Sequence, residues 1–267
     1  MRDRQQFDAR RLAFGTVAGL YDRARPPYPR AAIEEVLSFG RLEPPATILE
    51  VGAGTGKATV LFADRGFGVL ALEPNRQMAT IARVNCARYP RVEIIETEFE
   101  SWQPSEQLPA LVCAAAWHWI SPAIRYDLAR RALAPGATLA AIWTFPDWEE
   151  CALRRGLSHA YRHAAPALSA DFPMHPDSDR RSLAGDWRAE ISSSDGFTGP
   201  VVKGFPFSQR YTSSEYAQLL QTHQDHILLE TGQREALLAA VSDTIDSAGG
   251  ELTMPFSTLL CLATRRR

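Results

Sequence analysis

The 267-residue sequence is short of paired cysteine: Cys86, Cys113, Cys151 and Cys261 lie far apart along the chain. That spacing excludes a dense disulfide scaffold and a zinc ribbon, and it suits a reducing cytosol. Cys113 and Cys261 sit in apolar, strand-like runs, where a thiol behaves as a small hydrophobe. No hydrophobic run reaches the roughly 18 residues of a spanning helix, and the N-terminus is too polar for a secretory signal. Neither sign of charge dominates, with 29 Lys and Arg against 31 Asp and Glu. A net charge of -2 gives no electrostatic case for nucleic acid. Arginines gather at the ends (Arg2, Arg4, Arg10, Arg11 and Arg265 to Arg267), where runs of this kind read as solvated. His159 and His163 have a spacing that could serve a metal on a helix, but no third ligand accompanies them. There is no internal repeat and no low-complexity segment. These absences lead to an expectation of a cytoplasmic protein, monomeric or homodimeric, with no metal and no nucleic-acid or membrane partner.

Regular alternation is what the sequence does contain. Between residues 46 and 145, apolar runs at 47–51, 68–72, 92–96, 110–115 and 137–143 read as strands. Helical patterns at 57–65, 75–88 and 122–133 fall between them. Strand–helix units in this order predict an α/β fold, a parallel sheet with helices on both faces. Residues 1–45 read as a helical segment broken at Arg25-Pro26-Pro27-Tyr28-Pro29, with a helix over 31–39. After Trp143 the rhythm changes: helices over 148–165, 180–194, 213–225 and 233–248, a proline-rich loop at 166–179, and strands over 201–211 and 255–264. One domain over 1–267 is expected, with 46–145 as core and 146–267 as a helical lid plus the last two strands.

The segment Ile48-Leu49-Glu50-Val51-Gly52-Ala53-Gly54-Thr55-Gly56 reads as a buried strand that breaks into a tight turn with backbone amides bare enough to touch a ligand. A phosphate-binding loop needs four residues between its glycines and then Lys with Ser or Thr; here Ala58 follows Gly56-Lys57. A dinucleotide fingerprint spaces its glycines G-x-G-x-x-G, whereas this turn has G-x-G-x-G, the weaker match. A nucleoside ligand without phosphates needs neither pattern. Glu73 ends the next apolar run, placed to accept both hydroxyls of a ribose.

Glu50-Val51-Gly52-Ala53-Gly54-Thr55-Gly56 resembles the first motif of the Rossmann-like S-adenosylmethionine-dependent methyltransferases, and Leu72-Glu73-Pro74 their second. Thr97-Glu98-Phe99-Glu100-Ser101-Trp102 and Ala116-Trp117-His118-Trp119-Ile120 follow in the family's order. The stretch from Phe14-Gly15 through Tyr21-Asp22-Arg23-Ala24-Arg25-Pro26-Pro27-Tyr28-Pro29 is similar to a bacterial branch related to trans-aconitate methyltransferases. The resemblance implies a mostly parallel sheet whose last strand is antiparallel, with S-adenosyl-L-methionine as cofactor and a small-molecule acceptor.

By the same resemblance, Gly52, Ala53 and Gly54 lie against the methionine portion, and Glu73 with Pro74 meets the ribose. Phe99 faces the adenine through its amide, with Glu98 near the exocyclic amine. Tyr21 and Arg25 fold over the cofactor. Ala115 and Trp117 close its far side, an aromatic face being a suitable wall for a sulfonium. His118 is the candidate general base; Trp119, Tyr28 and His223 are candidate acceptor contacts. Methyl transfer depends on alignment and exclusion of water, so a sequence with no evident acid–base pair is compatible with it. The sequence leaves three alternatives open: another reaction of the same sulfonium compound such as an intramolecular cyclisation, an NAD(P)-dependent oxidoreductase, and a catalytically silent binding module. The oxidoreductase would call for a Tyr-x-x-x-Lys or similar group, which the sequence lacks.

Overall fold

The computed structural model describes residues 13–168, 170–178 and 186–267. Among these, the chain runs through a 3-10 turn (Ala13–Val17), α1 (Ala18–Ala24), α2 (Arg30–Gly40), β1 (Thr47–Val51), α3 (Lys57–Ala63), β2 (Gly68–Leu72), α4 (Arg76–Asn85), β3 (Val92–Ile95) and β4 (Leu108–Ala114). A 3-10 turn (Trp117–Trp119), α5 (Arg125–Ala132), β5 (Leu133–Pro146), α6 (Arg154–Ala164), α7 (Trp187–Ser193) and β6 (Phe197–Thr212) follow. The chain ends with α8 (Ser213–Leu220), α9 (Gln224–Ile227), α10 (Thr231–Ser247) and β7 (Glu251–Arg265).

Seven strands form one sheet in the order β3-β2-β1-β4-β5-β7-β6. The pairs β1–β2, β1–β4, β2–β3 and β4–β5 are parallel. β7 runs against its neighbours. Beside β5, Leu133 receives the Arg265 guanidinium whereas Thr144 meets Thr258, so one index rises as the other falls. Beside β6, Phe207 stacks on Phe256 and Arg210 pairs with Glu251, the same reversal. This is the sheet expected from sequence, with its antiparallel last strand.

The chain divides into two compact units. The first comprises the described residues of Met1–Pro26, Phe145–Gly185 and Pro206–Ser257; the second comprises Pro27–Thr144, Asp186–Phe205 and Thr258–Arg267.

In the second unit, alternation along the central strands sends side chains to two cores. Leu49, Val51, Leu111, Cys113 and Leu139 join one cluster, where Leu128, Ala129 and Ala132 of α5 and Trp187 and Ile191 of α7 cover them. Ile48, Ala110, Val112, Ala140 and Ile142 join the other, under Ile33 and Val36 of α2 and Ala58 and Phe62 of α3. Strands covered on both faces need apolar residues at every position, which is why these runs are continuous rather than alternating. Each fully buried Leu, Ile, Val or Phe among them contributes roughly 1.5–3 kcal/mol. β5 starts earlier than the sequence pattern indicates: Leu108 pairs with Leu133 and Ala110 with Thr138, so Ala134 to Ala137 bulge around Pro135-Gly136 and pairing resumes beyond.

In the first unit, Leu237, Val241 and Ile245 form one stripe of α10 and pack with Leu157 and Tyr161 of α6 and Tyr216, Leu219 and Leu220 of α8. Gly156 lets α6 approach closely, since a Cβ there would lie 2.7 Å from Thr244 Cγ2. Thr212 and Glu215 form a reciprocal cap at the start of α8. The helix expected over 213–225 is instead two, α8 and α9, separated at Thr222-His223. The helix expected over 180–194 is described only as α7, because 179–185 lie outside the described residues. No described helix is long and apolar enough to cross a membrane. All four cysteines are buried and unpaired.

Candidate functional site

The second unit gathers most of the candidate residues at the carboxyl ends of its parallel strands. β1 ends at Val51, and Gly52, Gly54 and Gly56 all adopt left-handed backbone, with φ of 72°, 60° and 84°. At Gly52 the requirement is also steric, because a Cβ there would fall 2.3 Å from the Cβ of Ala116. The turn after β1 and the turn after β4 are therefore in direct contact. Ala115 sits at φ 57° and donates its amide to Ile142 O at 2.7 Å. Left-handed backbone at a non-glycine residue is locally costly and concentrates at functional positions.

The amides of the glycine turn are engaged within the fold, contrary to the bareness expected from sequence. Gly52 and Ala53 both donate to Leu72 O (2.8 and 3.1 Å), and Gly56 donates to Ala53 O (2.9 Å). Gly54 donates to Glu73 Oε2 at 2.7 Å, while Asn75 donates to Glu73 Oε1 at 2.8 Å. Donors spent in this way do not form a cradle for phosphate, which distinguishes this turn from phosphate-binding loops. Glu73, only 7% exposed, ties the tip of β2 to the glycine turn. Pro74 follows, and Asn75 caps α4 by accepting from Gln77 N and Met78 N.

Sequence reasoning gave no role to Glu50, which the structure brings beneath this turn. It is 1% exposed and accepts from Thr59 Oγ1 at 2.5 Å, while its Oε1 has no partner. Burial pushes its carboxyl up to about 8; the Thr59 hydrogen bond opposes the shift and the Glu73 charge adds to it. The buried hydroxyl of Thr55, in the same turn, also lacks a partner. An acid ending an otherwise apolar strand was the signal available in the sequence.

The other candidates differ in placement. Phe99 is 4% exposed and stacks on Trp102 at 6.4 Å, with Glu98 partly exposed beside it. Trp117, 1% exposed, packs edge-on against Tyr126 (5.5 Å) and Trp187 (6.3 Å), so its ring belongs to the core. His118 and Trp119 stay accessible, their rings 4.8 Å apart. His118 Nδ1 accepts from Trp143 Nε1 at 3.2 Å. Crowding around the ring, then the Arg125 charge, pushes its pKa down to about 4; solvent reaching the exposed part screens that shift, and the direction is a ring neutral at pH 7. Tyr28 packs partly buried against the cluster containing Ile33 and Phe62.

The first unit brings together Tyr21, Arg25 and His223. The Arg25 guanidinium stacks on Tyr21 at 4.9 Å and donates to Thr222 Oγ1 and Thr222 O, both at 2.8 Å. Burial, then the Arg25 charge and His226, keeps His223 well below the ordinary imidazole range. Nearby, Tyr161 Oη shares a hydrogen bond with His226 Nε2 (2.8 Å), and His226 Nδ1 lies 3.0 Å from Asp225 Oδ1. No motif in the sequence pointed to that buried cluster. His163 of α6 hydrogen-bonds the carbonyl of His159 through Nδ1 at 2.9 Å.

Comparison with known proteins gives this geometry a context. Residues 48–136 match a family model described as a methyltransferase domain. An uncharacterized methyltransferase of Mycobacterium tuberculosis is 36% identical over 137 residues, 51% of this chain and 54% of that protein. At that identity, the chain spans about half the length of the curated relatives it matches. A methyltransferase-like protein of Schizosaccharomyces pombe is 24% identical over 236 residues, 86% of this chain and 84% of that one. Among solved structures, a provisionally assigned type II methyltransferase from Anaeromyxobacter dehalogenans superposes with a TM-score of 0.60 at 21% identity, covering 91% of this chain and 97% of its own. A phosphoethanolamine N-methyltransferase from Haemonchus contortus, solved with phosphomonomethylethanolamine and S-adenosylhomocysteine, gives 0.53 at 11% identity over 95% of this chain and 58% of its own. By sequence over residues 48–136 and by fold over most of its length, the chain is thus similar to the Rossmann-like methyltransferases.

Proposed function

We propose that this protein transfers a methyl group from S-adenosylmethionine to a small-molecule acceptor. The observation that carries the reading is the Glu73 carboxylate, buried at the tip of β2 and held against the Gly54 amide. It suits a ribose, while the spent amides of Gly52 and Ala53 argue against a pyrophosphate. The methyltransferase-domain match over the same residues and the S-adenosylhomocysteine held by the Haemonchus relative support the same ligand. When bound, that ligand supplies a methyl group already activated by its sulfonium.

The chain's own residues then bind, align and exclude water. Gly52, Ala53 and Gly54 take the methionine portion, Glu73 and Pro74 the ribose, and Glu98 and Phe99 the adenine. Ala115 and the backbone at Trp117 line the far side; with its ring in the core, Trp117 acts here through its main chain. Arg25, backed by Tyr21, is the candidate partner for the cofactor carboxylate, in a geometry that lysine does not reproduce. His118, Trp119, Tyr28 and His223 are the candidate acceptor contacts, His118 being the one that handles a proton or a hydrogen bond. The likeness of segment 14–29 to the trans-aconitate-related branch favours a small metabolite as acceptor, and the buried, unpaired cysteines suit a reducing, cytoplasmic setting.

Calorimetry on the purified protein with S-adenosylmethionine, S-adenosylhomocysteine and NADH tests the reading. Binding of the two sulfur nucleosides with no heat from NADH is expected. Binding of NADH alone would reassign the site to a dinucleotide.

A further inference from the structure

The turn that carries His118 is held by a network whose members are distant in sequence. Arg125, 8% exposed at the start of α5, reaches back to donate to Trp117 O at 3.4 Å. Its guanidinium lies 5.6 Å from the Trp117 ring and 5.5 Å from Tyr126. Glu190 of α7 fixes it from the other side: Glu190 Oε2 accepts from Arg125 Nη2 at 2.5 Å and from Tyr126 Oη at 2.7 Å. The residue before His118 is therefore clamped by its carbonyl and by its ring. From β5, Trp143 then fixes the imidazole itself.

An indole N–H is a donor and nothing else, so the His118 nitrogen facing it must offer a lone pair. A neutral ring with Nδ1 as acceptor carries its proton on Nε2. A second proton would set N–H against N–H, and the nearby Arg125 charge opposes it as well.

We propose that Arg125 is a positioning residue which, together with Trp143, presents His118 as a neutral Nε2–H hydrogen-bond donor to the acceptor molecule. This rests on the methyl-transfer reading for its functional meaning, though the state of the ring is measurable without it. It replaces a general-base role for His118 with a donor role. The acceptor accordingly carries a hydrogen-bond-accepting group, such as a carbonyl or other oxygen, and its nucleophilic atom reacts without losing a proton to this ring. Trp143 of β5 and Trp119 of the same turn contact the imidazole, and the Arg125 guanidinium of α5 acts on it through its charge.

Long-range nitrogen–proton correlation spectra of the labelled 267-residue chain provide the test, with His118→Gln identifying the signals of that ring among its six histidines. The expected spectrum near neutral pH has a protonated Nε2 and an unprotonated Nδ1. In Trp143→Phe both tautomers appear; in Arg125→Met the ring takes its second proton at a higher pH, and Arg125→Lys moves that value back. A proton on Nδ1 of the wild-type ring, or a titration unmoved in Arg125→Met, overturns the proposal. Should Arg125→Met fail to fold, the wild-type and Trp143→Phe spectra decide. Calorimetry with S-adenosylhomocysteine on the same samples separates the two ideas: absent binding with the expected ring state removes the methyl-transfer reading and leaves the tautomer standing.

Discussion

Substituting Gly52 tests whether the turn after β1 is shaped by the turn after β4. In Gly52→Ala the new Cβ meets the Ala116 Cβ at 2.3 Å, on a residue whose φ is 72°. Left-handed backbone at alanine costs roughly 1–2 kcal/mol, and relieving the overlap by backbone movement costs roughly 1–3 kcal/mol more. A total loss of about 2–5 kcal/mol is therefore expected, read as a lower urea midpoint. Ala116→Gly alone costs about 0.5–1 kcal/mol through added backbone freedom. In the double variant the overlap is gone and only the two backbone terms remain, so it should recover about 1–3 kcal/mol relative to the sum of the singles. Affinity for S-adenosylhomocysteine, measured in the same proteins, should fall in Gly52→Ala and partly return in the double variant. Strict additivity within about 0.5 kcal/mol would refute the contact as the reason for glycine at this position.

Other residues give independent tests. Glu73→Ala should weaken S-adenosylhomocysteine binding by roughly ten- to hundredfold in calorimetry, through loss of charge-assisted hydrogen bonds; unchanged affinity would remove the ribose role. Glu50 keeps its proton up to about pH 8 in the fold, against the ordinary 4.5, so folding takes up a proton between those values and stability falls as pH rises through that window. Glu50→Gln should flatten that fall; urea midpoints at about pH 5 and about pH 8.5 that drop as steeply as in the wild type would contradict it. The buried hydroxyls of Tyr211 and Tyr216 lack partners, so Tyr211→Phe and Tyr216→Phe should each leave thermal stability unchanged or raise it by about 1 kcal/mol. A clear loss in either would reveal a partner for that hydroxyl.

The sheet was legible because its strands are local and covered on both faces: the runs at 47–51 and 68–72 coincide with β1 and β2. The longer strands were harder. Pro135-Gly136 looked like a turn entering a strand, whereas pairing at Leu133 begins before it. Pro255 looked like the start of the last strand, yet β7 begins at Glu251, and the Pro255 carbonyl accepts from Asp147 N because an acceptor needs no amide of its own. At the site, residue types at the strand tips were readable but their hydrogen bonds were not. The amides of Gly52 and Ala53 are taken by Leu72, a consequence of parallel register that only the paired strands reveal. Contacts such as Arg125 with Glu190, Arg25 with Thr222 and Tyr161 with His226 join distant segments, and no local pattern encodes them.

A crystal structure of the full chain with S-adenosylhomocysteine tests the central claim most directly. The account predicts the ribose hydroxyls on Glu73, with the sulfur-bearing tail passing Gly52 and Gly54. Density for the nucleoside away from the tips of β1 and β2, or side chains filling that space in its presence, would contradict it.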